Sequence, residues 1–277
     1  MQIKLFLVLI PVMLFSFQSV AQGDLLITPK RVVFEGNKQK EELNLVNIGQ
    51  DTAIYAISFL HYNMTEDGNF IVIEKPDSGQ MFATPYLRIF PRRVTLAPRE
   101  PQVISLQVRR KADMAAGEYR SHLYFRAEKD NKPLGMANTI QDTTQLQVQL
   151  IPIFGLSIPI IIRTGAVNVN ATLTNLKMEL QQDTIPCLKF TINRTGNISI
   201  YGDVAVMYFP EKGNSYQVGS VMGIGVYTNI TKRNVTIKLN TKPGTTLTNG
   251  KLKVQYLNNN ENKKTEVYAE GELELKQ

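Results

Sequence analysis

The chain has no tryptophan, one cysteine (Cys187) and only two histidines (His61 and His122) in 277 residues. A single cysteine excludes an intramolecular disulfide, so burial and strand regularity must hold each folded unit without staples. Neither histidine has a neighbouring cysteine or histidine. The sequence also lacks a Gly-x-Ser-x-Gly elbow, a His-Glu-x-x-His pair and a phosphate loop. No catalytic residue, metal or cofactor is therefore expected, and the chain reads as non-enzymatic. Cys187 lies beside Leu188 in an apolar run and is expected to be buried as a small hydrophobe. Helical periodicity is nearly absent; residues 175–182 fit two helical turns or a strand equally well.

Long uninterrupted apolar runs are also missing, apart from residues 5–17. These follow Lys4 and precede small residues at Ser19 and Ala21, the pattern of a cleaved signal peptide over residues 1–21. An exported, soluble mature protein is expected, with a periplasmic location. The formal charge is +7, and basic residues gather at Arg92-Arg93, Arg109-Arg110-Lys111, Lys232-Arg233 and Lys263-Lys264. Export and the lack of interleaved aromatics argue against nucleic acid as the partner. Solvated strand ends explain the clusters better.

What the sequence has in abundance is alternation. Ile104, Leu106 and Val108 alternate with Ser105, Gln107 and Arg109. Tyr119, Leu123, Phe125 and Ala127 share one face, and Arg120, His122, Tyr124 and Arg126 the other. The same period recurs at Leu188, Phe190 and Ile192, at Val235, Ile237 and Leu239, and at Leu252, Val254 and Tyr256. Turn signals separate the runs, among them Gly36-Asn37, Asp67-Gly68-Asn69, Gly196-Asn197 and Asn249-Gly250. Short strands at this spacing predict an all-β sandwich fold. A polar break at Arg163-Thr164-Gly165 divides the chain into sandwiches at 23–163 and 166–277. A polar stretch at 128–144 is longer than most loops.

One run, residues 145–163, organises the first half. Leu146, Val148, Leu150, Phe154, Leu156, Ile158, Ile160 and Ile162 fall on one parity, so a strand there has a fully apolar face. Gln145, Gln147 and Gln149 make the first half of the run half-exposed. Ile151, Ile153 and Ile161 make the second either buried on both faces or wedged between domains. Pro152 and Pro159 mark it as a long edge strand leaving one domain for the next. Its interruptions exclude a transmembrane helix.

Several stretches, in order, resemble one family. They are Thr28-Pro-Lys-Arg-Val-Val-Phe-Glu-Gly36, Val94-Thr-Leu-Ala-Pro98 leading into Gln102-Val-Ile-Ser-Leu106, Gly117-Glu-Tyr-Arg-Ser-His-Leu-Tyr-Phe125 and Ile158-Pro-Ile-Ile-Ile-Arg163. Arg194-Thr-Gly-Asn197, Tyr201-Gly-Asp203 and Gly225-Val-Tyr-Thr228 continue the series. Together they resemble the two-domain periplasmic chaperones of pilus assembly, the P-pilus chaperone type, as a divergent branch.

The resemblance implies two immunoglobulin-like β-sandwich domains set at an angle, with a client cleft between them. It implies protein subunits of a surface organelle as partners, an outer-membrane usher, and self-association when unloaded. It also implies donor-strand complementation, in which an edge strand fills the gap in an incomplete subunit. Leu146, Val148, Leu150 and Phe154 would be the donated residues. The family anchors the client's C-terminal carboxylate with an arginine and a lysine. Arg31 matches the arginine, whereas the lysine position falls on Pro159, or on Phe154 in a slipped register. Arg31 alone, or with Lys30 or Arg163 in the lysine's place, is then the expected anchor. The rival reading is an immunoglobulin-like structural or adhesion surface protein that keeps its own strand.

Overall fold

The computed structural model describes residues 25–128, 155–182, 184–241, 247–258 and 266–276. The expected signal peptide and the donated residues Leu146, Val148, Leu150 and Phe154 lie outside the described residues, as does nearly all of the 128–144 stretch.

The first sandwich begins with β1 (Leu25–Thr28), β2 (Val32–Phe34), β3 (Lys40–Asn47) and β4 (Ala53–Leu60), then a ribbon of β5 (Tyr62–Met64) and β6 (Phe70–Val72). A short 3-10 turn at Thr84–Tyr86 leads into β7 (Leu87–Phe90), β8 (Arg93–Leu96), β9 (Pro101–Val108), β10 (Gly117–Glu128) and β11 (Gly155–Thr164). One sheet has the order β1-β3-β9-β7 and the other β2-β11-β10-β4-β8. This is an immunoglobulin-like arrangement in which two strands cross between sheets, β1 continuing as β2 and β7 as β8. Each crossing carries a cis proline bond, Thr28-Pro29 and Phe90-Pro91.

The second sandwich comprises β12 (Val169–Gln181), β13 (Ile185–Gly196), β14 (Ile200–Phe209), β15 (Tyr216–Val226), β16 (Lys232–Lys238), β17 (Gly250–Asn258) and β18 (Glu266–Leu275). Its sheets run β12-β13-β16 and β15-β14-β17-β18. The ambiguous residues 175–182 fall on β12. Its ladder with β13 is kept across a bulge between Thr174 and Lys177, with Asn175 at φ 57°. Strand pairing settles what local periodicity leaves open.

The alternating residues fill two cores. One draws on residues from Leu25 to Ile162 and the other on residues from Ala171 to Leu275. Leu43, Leu45, Ile104, Leu106 and Leu123 are wholly buried in the first, and Leu188, Ile192, Val206, Leu252, Val254 and Tyr256 in the second. Each such aliphatic side chain contributes about 1.5–3 kcal/mol relative to exposure. Cys187 is buried, as its apolar neighbours predict.

The described part of the organising run, β11, is only partly an edge. From Gly155 to Pro159 it pairs with β10 alone, whereas from Ile160 to Ile162 it also pairs in parallel with β2 at Val32, Val33 and Phe34. The three consecutive isoleucines are fully buried, as a strand covered on both faces requires. The parallel ladder starts one residue past Pro159, and Arg31 stands immediately before it.

Candidate interdomain cleft

At the junction of the two sandwiches β10 and β11 present charged residues on the face away from the first core. Glu118 and Arg163 are direct cross-strand partners, and His122 lies opposite Pro159. Both Glu118 and His122 are buried, because the second sandwich covers a face that alternation alone assigns to solvent.

Glu118 is the hub. Its Oε1 accepts from Arg120 Nη2 at 2.7 Å and Nε at 3.1 Å, and its Oε2 accepts from Arg163 Nε at 3.2 Å. Ser199, on the second sandwich, donates to Oε2 from both its backbone N at 3.0 Å and its Oγ at 2.7 Å. Arg120 Nη2 reaches Ser199 Oγ at 2.6 Å, and Arg163 Nη2 donates to Ser199 O at 3.2 Å. Burial pushes the Glu118 carboxyl up, but Arg120, Arg163 and Ser199 outweigh it and bring it to about 2. The carboxylate stays ionised because it is surrounded by donors rather than by water. Glu35 adds a second partner to Arg163 at 2.6 Å.

Arg31 lies on the cleft side of the same cluster. Its guanidinium carbon is 4.6 Å from the centroid of the Tyr201 ring, across the junction. Burial and the Arg120 guanidinium pull its pKa down to about 10 despite the attraction of Glu118, so it remains a cation at neutral pH. Of the three guanidiniums, Arg120 and Arg163 both pair with Glu118, and Arg163 also with the exposed Glu35. Among the described residues Arg31 is the one of the three with no carboxylate contact. A half-buried cation resting on an aromatic ring can receive an anionic group with a charge-assisted, bidentate hydrogen bond.

Lys30 is exposed and enters no ion pair among the described residues. Of the three expected anchor residues, Arg31 and Arg163 therefore meet at one cluster, with Arg163 already paired, and Lys30 does not join them.

Sequence reasoning missed Glu118, Arg120, Ser199, Tyr201 and Tyr227 as site residues. Arg120 lies 3.7 Å over the Tyr227 ring and His122 Nε2 is 3.0 Å from the Tyr227 hydroxyl. The one available signal was the clustering of Glu118, Arg120 and His122 on one parity at the start of a long strand.

The β5–β6 ribbon closes one side of the cleft. Asn229 Nδ2 donates to Met64 O at 2.8 Å and Asn234 N to Glu66 O at 2.7 Å. Gly68, at φ 83°, leaves the space that the Arg233 guanidinium occupies. Arg233, expected at a solvated strand end, is instead partly buried beneath the ribbon. No group of three His, Cys, Asp or Glu gathers among the described residues.

No protein-family model matches the chain, and no curated protein does. Among solved structures the chain is similar to the YadV chaperone, at 12% identity over 91% of this chain and 100% of that one, with a TM-score of 0.45. It is similar to a chain of the CsuC–CsuE chaperone–tip adhesion subunit pre-assembly complex from the archaic Csu pili of Acinetobacter baumannii. There the identity is 11%, the coverage 88% and 97%, and the TM-score 0.46. It is also similar to the CupB2 chaperone of Pseudomonas aeruginosa, at 11% identity, 90% and 100% coverage and a TM-score of 0.42.

Proposed function

We propose that the chain is an exported periplasmic chaperone, without enzymatic activity, for pilus, fimbrial or related surface-organelle subunits. The observation that carries this reading is the Arg31 guanidinium, held on Tyr201 at the cleft without a carboxylate partner among the described residues. It stands where the open part of β11 gives way to the part covered by β2. A client's terminal carboxylate on Arg31 would align its last strand along that open edge, where main-chain hydrogen bonds supply affinity. The lent side chains would be Leu146, Val148, Leu150 and Phe154, and an outer-membrane usher would be a further partner. Residues 1–21 form the signal peptide, 23–163 the first domain and 166–277 the second. Limited proteolysis should cut first near 163–166 or within 128–144; early cuts inside the strands, with both regions intact, would contradict that division.

The test compares two variants of the full chain. Val148→Asp should lose the client chain that co-purifies from periplasmic extract and keep a normal denaturant melt. Arg31→Ala should weaken capture with an equally normal melt. If the chain is a self-contained adhesion protein, Val148→Asp instead buries an unpaired carboxylate and costs about several kcal/mol.

A further inference from the structure

Tyr201 carries the Arg31 guanidinium, and the backbone of β15 carries Tyr201. The Tyr201 side chain points away from the second core, between buried Ile200 and Gly202, because neighbours on a strand face opposite sides. Its direct cross-strand partner is Gly225. A Cβ at Gly225 would stand 3.6 Å from Tyr201 Cδ2, an ordinary contact, whereas one at Gly223 would come within 2.9 Å of Tyr201 Oη. The side chain therefore lies along β15 across two glycines, with its hydroxyl end at Gly223. Gly223 has φ 74° and sits where the β14–β15 ladder slips register between Val221 and Ile224. Its N–H donates to Asp203 Oδ1 at 2.9 Å, so a residue of the same parity as Tyr201 pins this bulge. Bulges re-aim neighbouring side chains, and glycine inside a strand often marks a close approach of another group. Here that group is a ring, 42% exposed, with a cation 4.6 Å from its centroid across the domain junction.

We propose that Gly223, with Gly225, is a positioning residue for the carboxylate anchor. The glycine bulge of β15 sets where the Tyr201 ring lies and, through the ring, how the Arg31 guanidinium is held. This inference rests on the proposed role of Arg31 as that anchor. The second sandwich thereby contributes geometry to a contact whose charge comes from the first. With the ring displaced, the guanidinium loses its flat support. A fork that is no longer pre-organised loses the bidentate fit that separates a carboxylate from a neutral amide.

Two readouts on the full chain test the seat. The first needs no client: the Tyr201 ring current shifts the Arg31 Nε–H resonance. Tyr201→Leu and Gly223→Ala should move that resonance, and Gly225→Ala and Tyr201→Phe should leave it in place. The doubly substituted Gly223→Ala, Tyr201→Phe chain should regain the wild-type position, because only Oη lies inside contact distance of the added methyl. The second readout is anisotropy of a fluorescein-labelled dodecapeptide of alternating valine and threonine, made as the free acid and as the C-terminal amide. Wild type should prefer the acid about tenfold. Gly223→Ala and Tyr201→Leu should lose that preference, and the doubly substituted chain should recover it. Gly225→Val, which crowds the ring from its other end without a left-handed backbone, serves as a second variant should Gly223→Ala melt early, and it too should lose the preference. An acid preference intact in the glycine variants and lost in Arg31→Ala overturns the seat and retains the anchor. Acid and amide bound equally by wild type overturns the anchor, and with it the role of the seat, even if the resonance moves as described.

Discussion

Glu118→Ala is expected to destabilise the chain by about 3–5 kcal/mol, the usual cost of removing one member of a buried, hydrogen-bonded ion network. The loss is large because two guanidiniums, Arg120 and Arg163, keep their charge but lose their common acceptor. Ser199 loses the acceptor of both its N–H and its hydroxyl. Glu118→Gln keeps the shape and one carbonyl acceptor, and should fall between the two. Urea unfolding at neutral pH measures both. A loss under about 1 kcal/mol for the alanine variant would mean that water replaces the carboxylate freely, and that the junction is not sealed as described. Acid should act on the wild type through the same group. The folded carboxyl titrates at about 2 against an ordinary 4.5. Its contribution is therefore complete above pH 4.5 and disappears as the pH falls towards 2.

His122 predicts a separate loss at milder pH. Burial, with the charge of Arg120 and then His61, lowers its pKa from 6.5 to about 3. The ring packs edge-on against Tyr62 at 4.7 Å and stacks with Tyr227, with Phe70 beyond. Among the described residues Nδ1 is buried without a hydrogen-bond partner, so a second ring proton would enter an apolar contact beside a cation. Because the unfolded chain takes up that proton at 6.5 and the folded chain does not, stability is complete above pH 6.5 and declines below it. Between pH 6.5 and 4.5 the decline should reach about 2 kcal/mol. His122→Phe, which keeps an aromatic ring in the cluster, should remove that slope while leaving the loss below pH 4.5 in place. Urea melts at pH 7, 5.5 and 4.5 check it, and identical slopes in variant and wild type would assign the decline to other groups.

The two cores were legible because period-2 alternation is the signature of a strand with one buried face. Ile104, Leu106 and Leu123 are buried as their parity predicts. The same rule misplaces Glu118 and His122, whose parity points away from the first core. It has no knowledge of a second sandwich arriving over that face. Arg31 was readable from a motif, but its platform Tyr201 lies 170 residues further along and is brought close only by the junction. The turn Asp67-Gly68-Asn69 was readable as a turn. That its tip carries Glu66 to Asn234 was not, because nothing local to either segment encodes the encounter.

The junction has a mechanical consequence. Ser199 is gripped through its N–H, hydroxyl and carbonyl by three side chains of the first sandwich. The covalent connection lies beside it, where Asn168 N donates to the Asn197 side chain and Asn197 N to Asn168 O. The ribbon supplies a distinct attachment at Asn229 and Asn234. Two bodies joined at two places keep one easy degree of freedom, rotation about the line between them.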